Sequence, residues 1–189
     1  MLQFFVADGQ LWGGRTPWTM GASAGAPEAG QVVYIPDGAG LRRRAPTALT
    51  CVEAEPLTGW VDLTQPEYAA AAWRARYGES DPEVLEALDG GGFEPPYGEG
   101  EVPTKIGGHT YAMQDPPEDE LVRYAVFEGK ADEETVQREL PHWRPLLQYV
   151  PHDRTALAGG DYWNLYWFVR DDDLAARRFE RALMVEQCT

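Results

Sequence analysis

A chain of 189 residues is one domain's worth of polypeptide, and 43% hydrophobic content with seven tryptophans excludes a disordered protein despite 20 glycines and 15 prolines. A formal charge of −15 excludes nucleic acid and anionic membrane as partners, because both need a basic surface, and favours a basic protein or a cation. No apolar run approaches the roughly 20 residues that span a bilayer, the start Met1-Leu2-Gln3-Phe4-Phe5-Val6 lacks a basic signal-peptide region, and Cys51 and Cys188 form no CxxC pair, so a cytoplasmic protein with reduced thiols is expected.

Leu2, Phe4 and Val6 alternate with Gln3 and Phe5, and Asp8-Gly9 then supplies turn chemistry, so the first strand begins at residue 2. A second strand is predicted at Gln31-Val32-Val33-Tyr34-Ile35, closed by Pro36-Asp37-Gly38. Two helices follow with matching start signals, Thr64-Gln65-Pro66-Glu67 and Ser80-Asp81-Pro82-Glu83. In each, hydroxyl and carboxylate satisfy orphan amides while proline occupies the first turn. Their apolar faces are Tyr68, Ala72, Trp73 and Tyr77, then Val84, Leu85 and Leu88. Residues 89–103 are too rich in glycine, proline and acid to be regular and read as a flexible loop within a single domain, 1–189. Beyond it the pattern predicts a strand over 121–127, a helix over 132–140 stopped by Pro141, strands over 145–150 and 164–169, a helix capped by Asp172, and a last strand over 182–187. Runs of strands with separate short helices give an α+β class, mainly antiparallel β with short peripheral helices.

Catalytic signatures are few. Gly21-Ala22-Ser23-Ala24-Gly25 fits the G-x-S-x-G pattern of a nucleophile elbow, but no buried strand precedes it and no stable helix can follow, so a small-residue loop is the better reading. His109, His142 and His152 are too scattered to form a metal site by spacing, and no cofactor loop is present. Asp153, Asp161, Asp171, Asp172 and Asp173 surround the two C-terminal strands. They read as a helix cap with solvated neighbours, with a hard cation such as calcium as the alternative. Arg42-Arg43-Arg44 reads as solvated surface or local charge balance.

The richest segment is Lys105-Ile106-Gly107-Gly108-His109-Thr110-Tyr111-Ala112-Met113-Gln114-Asp115. Its paired glycines permit positive φ or a close backbone approach, and its lysine and glutamine can hold an anion or an amide. The architectural reading makes Gly107-Gly108 a β-bulge and Gln114 a partner for buried backbone.

Taken in order, Lys105-Ile106-Gly107-Gly108, Gln114-Asp115, Leu146-Leu147-Gln148-Tyr149, Gly160-Asp161, Leu165-Tyr166-Trp167-Phe168-Val169, Asp173-Leu174 and Glu186-Gln187-Cys188 resemble the YwqG-like family of bacterial proteins, a domain of unknown function, over 1–35 and 103–188. The resemblance implies a β-roll-like fold of two related β units, and on that basis the echo of residues 2–8 in 165–171 reads as a duplication. In the family pattern the LQFF strand usually lies inside the domain, so the expectation is either a shortened member or a true start upstream of Met1. Thr110 stands where proline is common, and Gly159 where tryptophan is common. The residues that the resemblance keeps together, Lys105, Gly107, Gly108, Gln114, Gln148 and Asp161, with His109 beside them, are the candidate ligand-binding set. They are expected to share one cleft between the β units, with Tyr111 or Trp163 as an apolar wall. The alternative is that each satisfies its own backbone neighbourhood.

Two classes of function follow. The first is a non-enzymatic binding protein with a basic protein partner, suggested by the acidity of residues 115–139; the family resemblance makes an immunity or accessory factor the specific form. The second is a small-molecule-binding protein or a hydrolase with a cleft near Lys105, His109 and Asp161. Binding is preferred, because spacing assembles no nucleophile, metal set or cofactor site.

Overall fold

The structure is a computed structural model and describes residues 1–6, 30–42, 56–64, 82–84, 86, 102–150 and 163–188. Its elements are β1 (Leu2–Val6), β2 (Gly30–Tyr34), β3 (Lys105–Ile106), α1 (Pro117–Glu120), a π-helix (Leu121–Val126), α2 (Glu133–Glu139), a 3-10 turn (Leu140–His142), β4 (Trp143–Tyr149), β5 (Trp163–Arg170), α3 (Asp171–Ala175), a second 3-10 turn (Phe179–Arg181) and β6 (Leu183–Cys188). β1 and β2 form an antiparallel pair running from Leu2 opposite Tyr34 to Val6 opposite Gly30. The other four strands form an antiparallel sheet in the order β3-β4-β5-β6. The class is α+β, mainly antiparallel. No helix among the described residues is long and apolar enough to cross a membrane.

β5 is the central organiser because it is buried on both faces, every residue from 164 to 169 being out of water. Side chains alternate across a strand, so this one run feeds two cores. Leu165, Trp167 and Val169 pack with Leu146, Phe179, Ala182, Met184 and Val32, joined by Leu2, Phe4 and Tyr34 of the β1–β2 pair. Tyr166 and Phe168 pack on the opposite face with Leu121, Val122, Val136, Trp143 and Val185. The result is three layers, with the four-stranded sheet burying one face against the strand pair and the other against the helices. Phe4 and Trp167, which occupy equivalent places in the sequence echo, meet edge to face with ring centroids 5.5 Å apart.

Residues 121–127 are helical, which corrects the strand expected there. Leu121-Val122-Arg123-Tyr124-Ala125-Val126-Phe127 has strand-like composition, but the helix has already been started upstream, where Pro117 sits in its first turn. Its turn then widens into the π form, with Phe127 N donating to Val122 O at 3.2 Å. That widening lets two successive residues, Leu121 and Val122, both be fully buried. Glu128 and Gly129, both at positive φ, end the helix. Arg123 pairs with Asp119 one turn back and with Glu133 of α2, tying the helices together.

The helix expected over 132–140 is α2, and Asp132 caps it, its carboxylate accepting from Thr135 N at 2.9 Å. Asp172 is not the cap expected of it. It lies inside α3, where Arg170 takes the N-cap position, and it accepts from its neighbour Asp173 N and from Arg170 Nε. Residues 82–84 and 86 are helical, in keeping with the second start signal. The body of the helix expected after Thr64, the G-x-S-x-G segment, Cys51 and residues 89–101 of the expected loop lie outside the described residues.

Candidate functional site

β3 is only two residues long, yet it is fixed in register. Lys105 stands opposite Gln148 and Ile106 opposite Leu147. The Thr104 hydroxyl extends the pairing, accepting from Val150 N at 3.0 Å and donating to Val150 O at 3.3 Å. Gly107 N donates to Leu146 O at 3.0 Å. The chain then reverses through two consecutive positive φ values, 68° at Gly107 and 73° at Gly108. The glycines therefore form a turn, and the irregularity in the sheet lies instead on β4, between Pro145 and Leu147. Proline has no N–H to donate to a ladder, which places the slip where the sequence already lacks a donor.

The turn meets the segment 56–64 at one point. His109 N donates to Thr64 Oγ1 at 2.9 Å, and a Cβ added at Gly108 would lie 2.5 Å from that same oxygen. A Cβ at Gly107 would meet nothing within 4 Å. Gly108→Ala should therefore cost about 1–3 kcal/mol, combining left-handed strain with the displacement of Thr64, and Gly107→Ala about 1 kcal/mol from strain alone. Denaturant unfolding of the two variants measures the difference; equal losses would show that the Thr64 contact is slack.

From Thr110 the chain crosses the helix-side face of the sheet as an irregular strap. An irregular backbone brought against a sheet must find hydrogen bonds outside secondary structure, and three buried side chains, Gln148, Tyr166 and Gln187, supply them. Tyr111 N donates to Gln148 Oε1 at 2.9 Å, and Tyr166 Oη donates to Tyr111 O at 2.8 Å. Asn164 Nδ2 donates to Tyr166 Oη at 3.2 Å. Met113 N donates to Gln187 Oε1 at 3.0 Å, and Gln187 Nε2 donates to Asp115 O at 2.7 Å and to Glu120 Oε2 at 3.1 Å. The Thr110 hydroxyl donates to Glu118 of α1.

The structure brings Lys105 and Gln148 together with Tyr111, the Lys105 ammonium standing 4.0 Å from the Tyr111 ring centroid. Gln148 Nε2 is buried without a hydrogen-bond partner. His109 is largely exposed, but partial desolvation of its ring, then the positive charges of Lys105 and Arg144, hold its pKa below the usual histidine value. It is therefore a neutral base or acceptor near pH 7. Gln114 is exposed, and the strap amides of Tyr111 and Met113 are met by Gln148 and Gln187. Asp161 lies outside the described residues.

Asn164, Tyr166 and Gln187 were not singled out as site residues by sequence reasoning. Their signal is a polar group inside an otherwise apolar strand, Asn164 in Trp163-Asn164-Leu165 and Gln187 after Met184-Val185. A buried polar side chain must have a partner; here Tyr166 and Gln187 address the strap, and Asn164 holds the Tyr166 hydroxyl.

Two further charge clusters have defined surroundings among the described residues, although Asp153, like Asp161, lies outside them. Asp171 pairs with Arg144 at 2.8 Å, Asp172 with Arg170 at 3.3 Å, and Asp173 with Arg178 at 2.6 Å, so these aspartates neutralise arginines. Among the described residues no group of three or more His, Cys, Asp or Glu is arranged to hold a metal ion. At the end of β6, burial and then the nearby Glu120 carboxylate push the Glu186 pKa up to about 7. Glu120 is itself raised, burial and Asp115 together outweighing the hydrogen bond from Gln187.

The fold and the site together define a small antiparallel α+β domain whose sheet is crossed by a glutamine-anchored strap. Over residues 1–188 the sequence matches the family described as a domain of unknown function, DUF1963, and the chain belongs to that family. No curated protein matches it.

Proposed function

We propose that the protein is a non-enzymatic binding protein for a basic protein partner, acting in the cytoplasm as an immunity or accessory factor of the YwqG-like kind. The observation that supports this reading is a set of exposed apolar side chains: Ile106 of the outer strand β3, 81% exposed, and Leu57, Trp60, Val61 and Leu63 on the segment whose Thr64 meets the Gly108 turn. Val61 is 99% exposed. Several large apolar side chains left in water along one short segment are a feature of protein contact surfaces, and an exposed tryptophan is a favoured anchor.

Charge supplies attraction at a distance, although part of the acidity of residues 115–139 is already engaged within the fold. Within residues 115–139, Asp119 and Glu133 pair with Arg123, and Glu128 with Lys130. Glu139 pairs with Arg170, Asp132 caps α2, and Glu118 and Glu120 accept from Thr110 and Gln187. Nine acidic residues against three basic ones keep the stretch negative after these pairings, so it adds to the steering field of a chain whose net charge is −15.

Affinity capture from the native host, with the wild-type chain and a Trp60→Ser/Val61→Ser variant compared at low and high salt, tests the reading. A basic protein retained by wild type, released by salt and bound roughly 10-fold less by the variant is the expected result. Identical recoveries from both chains at both salt concentrations would refute it. The hydrolase or small-molecule alternative draws on the neutral His109 beside Lys105. It predicts that Lys105→Ala or His109→Ala removes turnover or ligand binding without lowering the melting temperature.

A further inference from the structure

β6 ends in Glu186, Gln187 and Cys188, and the first two have opposite circumstances. Gln187 is buried and fully engaged, holding Met113 N and Asp115 O of the strap and Glu120 of α1. Glu186 is half-buried, opposite Leu165, and its Oε2 is shut away from water with no hydrogen-bond partner.

Among the described residues the surroundings offer Glu186 no compensating cation. β5 presents Leu165, and its one charged residue, Arg170, lies at the far end of the strand and pairs with Glu139 and Asp172. β2 carries no charged residue. The strap brings Asp115 and α1 brings Glu118, Asp119 and Glu120, all acidic. The π-helix contributes Arg123, which is already held by Asp119 and Glu133.

We propose that Glu186 is a proton-operated release for the strap. With its proton in place, the end of β6 stays buried and Gln187 holds residues 111–115 and α1. When the proton leaves, an uncompensated carboxylate draws the end of β6 towards water, and the hold of Gln187 on Met113, Asp115 and Glu120 loosens. The strap carries the turn side of the Lys105–Tyr111–Gln148 cluster, so the same event exposes that cluster.

The direction of the pH effect follows from linkage. Glu186 keeps its proton in the folded state up to about pH 7, whereas in the unfolded chain it loses it near the ordinary 4.5. Folding thus takes up a proton in that window, and the contribution to stability falls as pH rises through it and levels off above about 7.

Amide hydrogen exchange on the full chain, corrected for intrinsic rates, together with carboxyl NMR titration, tests the proposal. In wild type the protection of the Met113 amide should fall at least about 10-fold between pH 5.5 and pH 8.5, following the NMR titration of Glu186. Glu186→Gln should keep low-pH protection throughout, and its melting temperature should fall less over the same range, by roughly 3 °C or more. Glu120→Gln removes a neighbouring negative charge and should move the Glu186 transition to lower pH. Undiminished pH dependence in Glu186→Gln would overturn the proposal. So would a wild-type Glu186 that titrates near 4.5, a measurement that depends on no variant folding.

Discussion

Trp167→Ala should lower the unfolding free energy by about 3–5 kcal/mol, a large share of the roughly 5–15 kcal/mol that holds a domain together. Trp167 is 1% exposed and stands where the β1–β2 pair meets the four-stranded sheet. Its ring takes Phe4 edge to face, and a Cβ added at Gly30 would come within 3.1 Å of its Nε1 and 2.6 Å of Met184 Sδ. Neighbours this close leave little room to collapse into the space an indole vacates, which places the cost high in the range. One term opposes it. Nε1 is buried without a hydrogen-bond partner, so removing the indole also relieves an unsatisfied donor, worth about 1–3 kcal/mol. Trp167→Phe, which deletes that donor but keeps most of the apolar contact, should therefore cost less than its lost volume suggests. Urea unfolding with hydrogen exchange on β1 and β2 separates the cases. A loss below about 1 kcal/mol for the alanine variant would mean that the strand pair is anchored elsewhere.

The fold was legible where a single local rule decided the outcome. β1, β2, β5 and β6 carry alternating or continuous apolar runs that only a strand buries well, and Asp132 has a helix cap's spacing to Thr135. The 121–127 segment was misread because its composition favours strand, while its conformation was set by Pro117 upstream and by the need to bury Leu121 and Val122 side by side. Asp172 was misread because three consecutive aspartates offer three possible caps, and it was the ion pairs of Arg144, Arg170 and Arg178 that distributed them. The candidate site was half legible. Lys105 and Gln148 meet because β3 and β4 pair, and the glycines turn as their φ freedom allows. Gln187 and Tyr166 escaped notice because their role depends on where the strap crosses, and a crossing is a long-range fact that no local pattern carries.

Gln187→Leu should destabilise the protein by about 2–4 kcal/mol and do so locally, at the strap. The leucine keeps the volume but none of the three hydrogen bonds, leaving Met113 N, Asp115 O and the Glu120 carboxylate to find other partners. A buried polar group left unsatisfied costs about 1–3 kcal/mol. These sites are only partly buried, so water recovers some of that, and the total stays below the simple sum of three. Gln148→Leu supplies the contrast. It removes one bond, from Tyr111 N, and also removes the partnerless Nε2, so its net cost should be about 1 kcal/mol. The two variants also differ in where exchange accelerates: Met113 for Gln187→Leu, Tyr111 for Gln148→Leu. Gln187→Glu adds a sharper comparison, because it replaces the amide donor with a third carboxyl beside Glu120 and Glu186, and its defect should deepen as pH rises from 5.5 to 8.5. If Gln187→Leu loses less than about 1 kcal/mol and leaves the Met113 amide protected, then Tyr166 and Gln148 alone hold the strap, and the end of β6 has no command over it.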